Sequence, residues 1–157
     1  FSVQQKKEAT AEAEFLAEYI PAIILNSLSA DTFSLPQLSS GIATVLIYFN
    51  STCEICQMEL KSISERISEF KESHILLISS QEKAELEEFS NSHPLKKSQN
   101  VYWLMDEEME VAVHYGVRSV PAIFCYNSEG MLQGKFQGPV KVNLILEKLG
   151  ISKDLKP

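Results

Sequence analysis

The spacing of apolar residues changes several times along the chain, and each change marks an element. Thr44–Phe49 (TVLIYF) is an almost unbroken β-branched and aromatic run, which predicts a strand buried on both faces. Beyond it Cys56, Leu60, Ile63, Ile67 and Phe70 recur at intervals of three and four, predicting a helix over Cys53–Lys71. His74–Ser79 (HILLIS) reads as a second buried strand. A new helix is expected from Ser79, with Glu82 as its capping-box partner and Leu86 and Phe89 facing inward. Val101–Leu104 predicts a short strand and Asp106–Tyr115 a short helix, its acidic start Asp106–Glu108 reading as a solvated first turn that suits the helix dipole. Ala122–Tyr126 and Met131–Phe136 predict two strands joined by the turn Asn127-Ser128-Glu129-Gly130. Pro139 is placed as the first residue of a last helix ending near Leu149, with Gly150 as its stop.

The start of the chain reads differently. Its first ten residues are polar, and Ala9–Leu28 then carries Phe15, Leu16, Tyr19, Ile20, Ile23 and Ile24 at helical spacings. The expectation is a helix kinked or divided at Pro21. Ser29–Ser40 reads as a connector with a short strand at Thr32–Leu35. The chain therefore divides into an N-terminal helical extension, residues 1–30, and a domain over residues 31–157, with the extension expected to pack on the domain. The order β-α-β-α-β-α-β-β-α predicts an α/β fold: a central mixed β-sheet flanked by helices on both faces, with an antiparallel edge hairpin.

Composition narrows the function. At 157 residues, 45% hydrophobic and 22% charged, the chain has the make-up of one ordinary globular domain. A net charge of −7 argues against nucleic-acid binding, which needs a basic patch to neutralise phosphates. The longest apolar runs, Ile20–Leu25 and Val45–Phe49, fall far short of the ~20 residues that cross a bilayer, so no transmembrane segment is expected. The first residue is Phe1 rather than Met, and a removed leader is the expectation. No charged and then apolar leader pattern is visible, so the sequence does not itself state a compartment.

Three cysteines are too few, and odd in number, for a disulfide scaffold. Their spacing carries the chemistry. Cys53 and Cys56 form a C-x-x-C pair where a helix starts after a buried strand. A thiol there meets unpaired backbone N–H groups and the positive end of the helix dipole, both of which favour thiolate. Cys56 shares the apolar stripe of Leu60, Ile63 and Ile67, so the helix phase buries it and leaves Cys53 at the lip. That asymmetry suits Cys53 as attacking nucleophile and Cys56 as resolving thiol. No second C-x-x-C and no histidine at finger spacing accompany the pair, so neither zinc nor any other metal or cofactor is expected. His74, His93 and His114 read as surface or packing residues, and Cys125, within IFCY, as core.

YFNSTCEICQMEL after a buried strand, followed by GVRSVPAIF, resembles the thioredoxin superfamily, and within it the bacterial thiol–disulfide oxidoreductases of the TlpA/ResA type, over roughly residues 31–150. The resemblance implies a thioredoxin-like fold and a cis bond at Val120–Pro121. It makes those two residues the substrate edge, where the Val120 backbone pairs with an extended peptide. Glu59 matches a glutamate that assists proton transfer near the cysteines in ResA-like members. Helix geometry places it at the border of the apolar stripe, where burial can raise its pKa. The resemblance further implies a bacterial cell-envelope location, periplasmic or tethered. Its implied partners are thiol- or disulfide-containing proteins and an upstream thiol–disulfide electron donor. Cytoplasm remains compatible with the composition.

The chain also departs from that family. Thr52 stands where a tryptophan is usual, and Glu54-Ile55 where proline or glycine-proline is usual. Ile47 replaces thioredoxin's buried aspartate, and Ala122 the threonine after the proline. Glu54 also sets a negative charge beside Cys53. The peroxiredoxin signature, Thr or Ser three residues before the reactive cysteine, is absent: Asn50 stands there relative to Cys53, and Cys53 relative to Cys56. The reading is a thiol–disulfide oxidoreductase, a reductase on the resemblance. The alternative is a peptide-binding module of a larger envelope protein with incidental redox activity.

Overall fold

The computed structural model describes residues 19–151. In chain order the elements are β1 (Ile24–Ser27), β2 (Thr32–Ser34), α1 (Leu35–Ser39), β3 (Ala43–Tyr48), α2 (Glu54–Glu65), β4 (Ser73–Ser79), α3 (Lys83–Asn91), β5 (Val101–Met105), α4 (Glu110–Tyr115), β6 (Ala122–Tyr126), β7 (Leu132–Gln137) and α5 (Val142–Leu149). Among the described residues the strands form one seven-stranded sheet, ordered β2-β1-β5-β4-β3-β6-β7. Strands β3, β4 and β5 run parallel, while β6 is antiparallel to β3 and leads into the β6–β7 hairpin. This is the α/β fold that the alternation of strand and helix patterns predicts, in the thioredoxin-like form that the resemblance implies.

Every residue of β3 is buried, because both faces of the sheet are covered. On one face Val45, Ile47, Ile75, Leu77 and Ile123 pack with Leu60 and Ile63 of α2 and Ile145 and Leu146 of α5. On the other, Leu46, Tyr48, Leu76, Ile78 and Phe124 pack with Leu35 and Leu38 of α1 and Val111 of α4. Burying each such aliphatic side chain contributes about 1.5–3 kcal/mol, so α2 is held down firmly by Leu60 and Ile63 alone.

Several local expectations are corrected. Residues 24–27, expected as helix, form a strand paired antiparallel with β5, Asn26 opposite Met105 and Ser27 opposite Leu104. Their burial alternates, with Leu25 and Ser27 in and Ile24 and Asn26 out, a period of two that the helical spacing of Tyr19, Ile20, Ile23 and Ile24 masks. The part of that predicted helix before Tyr19 lies outside the described residues. Helix α2 stops at Glu65 instead of reaching Lys71, and Ile67–Phe70 continues as a single 3-10 turn. The Ser79–Glu82 capping box does not form: α3 begins at Lys83, and the Ser79 hydroxyl turns to the Gln81 side chain instead. Helix α4 starts at Glu110, and Asp106 is fully buried rather than solvated. Its carboxylate accepts the Tyr48 hydroxyl at 2.6 Å and the N–H groups of Val111 and Ala112 at 3.1 and 3.0 Å. Pro139 precedes α5 in a loop, the helix itself starting at Val142. The hairpin turn forms as read, with Asn127 Oδ1 accepting the N–H groups of Glu129 and Met131.

Candidate active site

Strand β3 ends at Tyr48, and the turn after it delivers Cys53 to the N-cap position of α2 with extended backbone (φ −84°, ψ 115°). Its Sγ accepts the N–H of Cys56 at 3.1 Å, a donor left free by the start of the helix. The same sulfur lies 3.8 Å from the carbonyl oxygen of Val120. Val120–Pro121 is a cis peptide. The structure thus brings together, across the sheet end, the cysteine pair and the dipeptide that the resemblance singles out.

The two cysteines occupy different surroundings. Cys53 is half-buried and Cys56 is 1% exposed, as the helix phase predicts. Burial, reinforced by a hydrogen bond to Cys53, pushes the Cys56 thiol up to about 12, while a bond from the Asn50 backbone opposes the rise. Burial therefore favours the protonated thiol at Cys56. Cys125 is fully buried in β6, and burial raises its pKa to about 12. It is an inert core thiol.

Glu59 is only 5% exposed. Desolvation raises its pKa above the ordinary carboxylate value, and the single N–H it accepts, from Val140 at 2.7 Å, opposes that rise. Its carboxyl thus ties α2 to the loop before α5. It also lines a cleft of ≈ 480 Å³ shared with Ile55, Met58, Val140 and Lys141. Ile55 and Met58 are exposed there, 49% and 68%, which sets an apolar surface beside the cysteines.

The turn carrying Cys53 is held by groups that sequence patterns do not single out. Asn50 Oδ1 accepts the N–H and hydroxyl of Thr52, and the Asn50 carbonyl accepts the N–H of Cys53 at 3.1 Å. Ser51 is held on all three of its polar groups: its N–H by Gln81 Oε1 at 2.7 Å, its hydroxyl by Gln81 Nε2 at 2.8 Å, and its carbonyl by Gln57 Nε2 at 2.7 Å. The polar residues ahead of Cys53 signal a turn, but nothing local connects them to Gln81.

The fold agrees with the comparison to known families. The chain belongs to the AhpC/TSA family, whose model matches residues 16–135. No curated protein sequence matches it. Among solved structures it is similar to the pneumococcal exposed lipoprotein thioredoxin Etrx1 of Streptococcus pneumoniae, at 24% identity and TM-score 0.67, over 82% of this chain and 97% of that one. It is similar also to a secreted Mycobacterium tuberculosis disulfide oxidoreductase homologous to Escherichia coli DsbE, at 21% identity and TM-score 0.66, over 82% and 92%. The peroxiredoxin 6 of Arenicola marina superposes with TM-score 0.68 at 16% identity, over 86% of this chain and 70% of that one. At these identities the structural likeness establishes the shared fold. Among the described residues no helix is long and apolar enough to cross a membrane.

Proposed function

We propose that the protein is a thiol–disulfide oxidoreductase that reduces disulfides of other proteins through the Cys53–Cys56 pair. The observation that carries the reading is the sulfur of Cys53: half-buried, capping α2, and 3.8 Å from the Val120 carbonyl, with Cys56 buried behind it. The Cys53 thiolate attacks one sulfur of the partner's disulfide. That S–S bond breaks, the departing sulfur leaves as thiolate and takes a proton from solvent, and a mixed disulfide joins Cys53 to the partner. Cys56 then gives up its proton and attacks Cys53 Sγ. The internal disulfide forms as the partner's second sulfur leaves, so two electrons have passed to the partner. An upstream dithiol protein returns the pair to its reduced state.

In this scheme Val120 and Pro121 form the edge on which an extended substrate segment lies, pairing through the Val120 backbone. Glu59, one helical turn beyond Cys56, takes the proton of Cys56, a role supported by its burial and its raised pKa. Likeness to an exposed lipoprotein and to a secreted protein supports a place in the bacterial cell envelope.

The test is the midpoint of the Cys53–Cys56 couple in glutathione or dithiothreitol buffers with thiol trapping. The expected result is a reversible two-electron couple on the reducing side, absent in Cys53→Ser. A couple far on the oxidising side would reverse the direction of transfer. A pair that never closes would remove the redox function and leave the peptide-binding module.

A further inference from the structure

Ser51 lies two residues before Cys53, yet two of its three side-chain ties reach across the sheet end to the loop after β4. The Gln81 carboxamide accepts the Ser51 N–H at 2.7 Å and donates to the Ser51 hydroxyl at 2.8 Å. Gln81 is itself anchored: its backbone N–H is accepted by Ser79 Oγ at 3.2 Å, and the same hydroxyl donates to Gln81 Oε1 at 3.1 Å. Ser79 is the last residue of β4 and fully buried, so the grip ends on a rigid strand.

We propose that Gln81 is a positioning residue for the redox pair: by gripping Ser51 it holds the turn from Asn50 to Cys53 in the register from which Cys56 can attack Cys53. This inference rests on the oxidoreductase reading and adds to it the device that sets the rate of disulfide closure. Closure makes the Cys56 Sγ–Cys53 Sγ bond and breaks the bond from Cys53 to the partner, so three sulfurs must come into line. One of the turn's contacts bears directly on that alignment, the Cys53 N–H held by the Asn50 carbonyl at 3.1 Å. It belongs to the residue next to Ser51. Initial attack by Cys53 on an exposed disulfide needs no such alignment with Cys56. Loss of the grip is therefore felt in the second step and not in the first.

The experiment uses the reduced full chain and 5,5′-dithiobis(2-nitrobenzoate), which releases one coloured thiolate when Cys53 attacks and a second when Cys56 closes the disulfide. Cys125, with no exposed surface, contributes none. Gln81→Met keeps the length of the side chain and removes its two hydrogen bonds to Ser51 together with the one accepted from the Ser79 hydroxyl. Gln81→Glu restores an acceptor for the Ser51 N–H and for its hydroxyl. Gln81→Met is expected to leave the first phase unchanged and slow the second by about three- to tenfold, the worth of one or two neutral hydrogen bonds. Gln81→Glu is expected to recover most of that rate. A second phase unaltered in Gln81→Met, or both phases falling together without rescue, would overturn the inference. A wild-type protein releasing only the first equivalent would overturn the oxidoreductase reading itself, and the inference with it.

Discussion

Two strand-to-helix junctions stand at the same end of the sheet and meet the same physical demand in different ways. Each helix begins with backbone N–H groups that have no partner in the helix. At the β5–α4 junction the carboxylate of Asp106, fully buried, accepts two of them and the Tyr48 hydroxyl as well. At the β3–α2 junction a half-buried sulfur, Cys53 Sγ, accepts one. Oxygen makes a strong and chemically inert cap, sulfur a weak and reactive one. The oxygen cap is fully buried and the sulfur cap half-buried, and the turn before the sulfur is held from outside by the two bonds of Gln81 to Ser51.

The sharpest way to break this comparison is to give the reactive junction an oxygen cap. Cys53→Ser is expected to abolish exchange completely while leaving thermal stability within about 0.5 kcal/mol of wild type, since serine is a preferred N-cap. Thiol trapping and a melting curve read the two halves of that statement. The converse change, Asp106→Ala, strands two amides and a buried phenol. An expected loss of about 3 kcal/mol should appear in denaturant unfolding, with closure of the cysteine pair in the surviving folded protein little altered.

Glu59 gives a smaller, pH-dependent effect. Burial raises its folded-state pKa, so the fold favours the neutral carboxyl. That contribution is fully present below the unfolded carboxyl's pKa, roughly 4.3, and is lost as pH rises through the higher folded value. A glutamine side chain in its place would keep an acceptor for the Val140 N–H without ever ionising. Glu59→Gln is therefore expected to match wild type in Tm at about pH 4 and to exceed it at neutral pH, while slowing closure if the carboxyl takes the Cys56 proton. The least effect belongs to Cys125→Ala, about 1 kcal/mol of stability from a small cavity and no change in exchange kinetics.

Much of this architecture is legible in one sequence, for a reason visible in its strands. β3, β4 and β6 are buried on both faces, so their residues are apolar almost without interruption and their positions read directly. The opposite fates of Cys53 and Cys56 follow from helix phase. Where local patterns mislead, the deciding partner is distant. Residues 24–27 become a strand because β5 offers them an edge, which their own spacing does not reveal. Asp106 turns inward because Tyr48 and two amides await it there. Ser79 forgoes its capping box for Gln81, and Gln81 reaches a residue 30 positions earlier in the chain.

The antiparallel strand laid on β5 also bears on how copies of this protein behave in company. The end of β5 nearest the cysteines, Trp103–Met105, would otherwise offer a row of open backbone groups beside apolar side chains, a template for another molecule's strand. Ser27, Asn26 and the Leu28 N–H, which bonds the Trp103 carbonyl at 3.2 Å, occupy that row. Strand β1 thereby moves the sheet's edge away from that row and onto β2, a strand of only three residues.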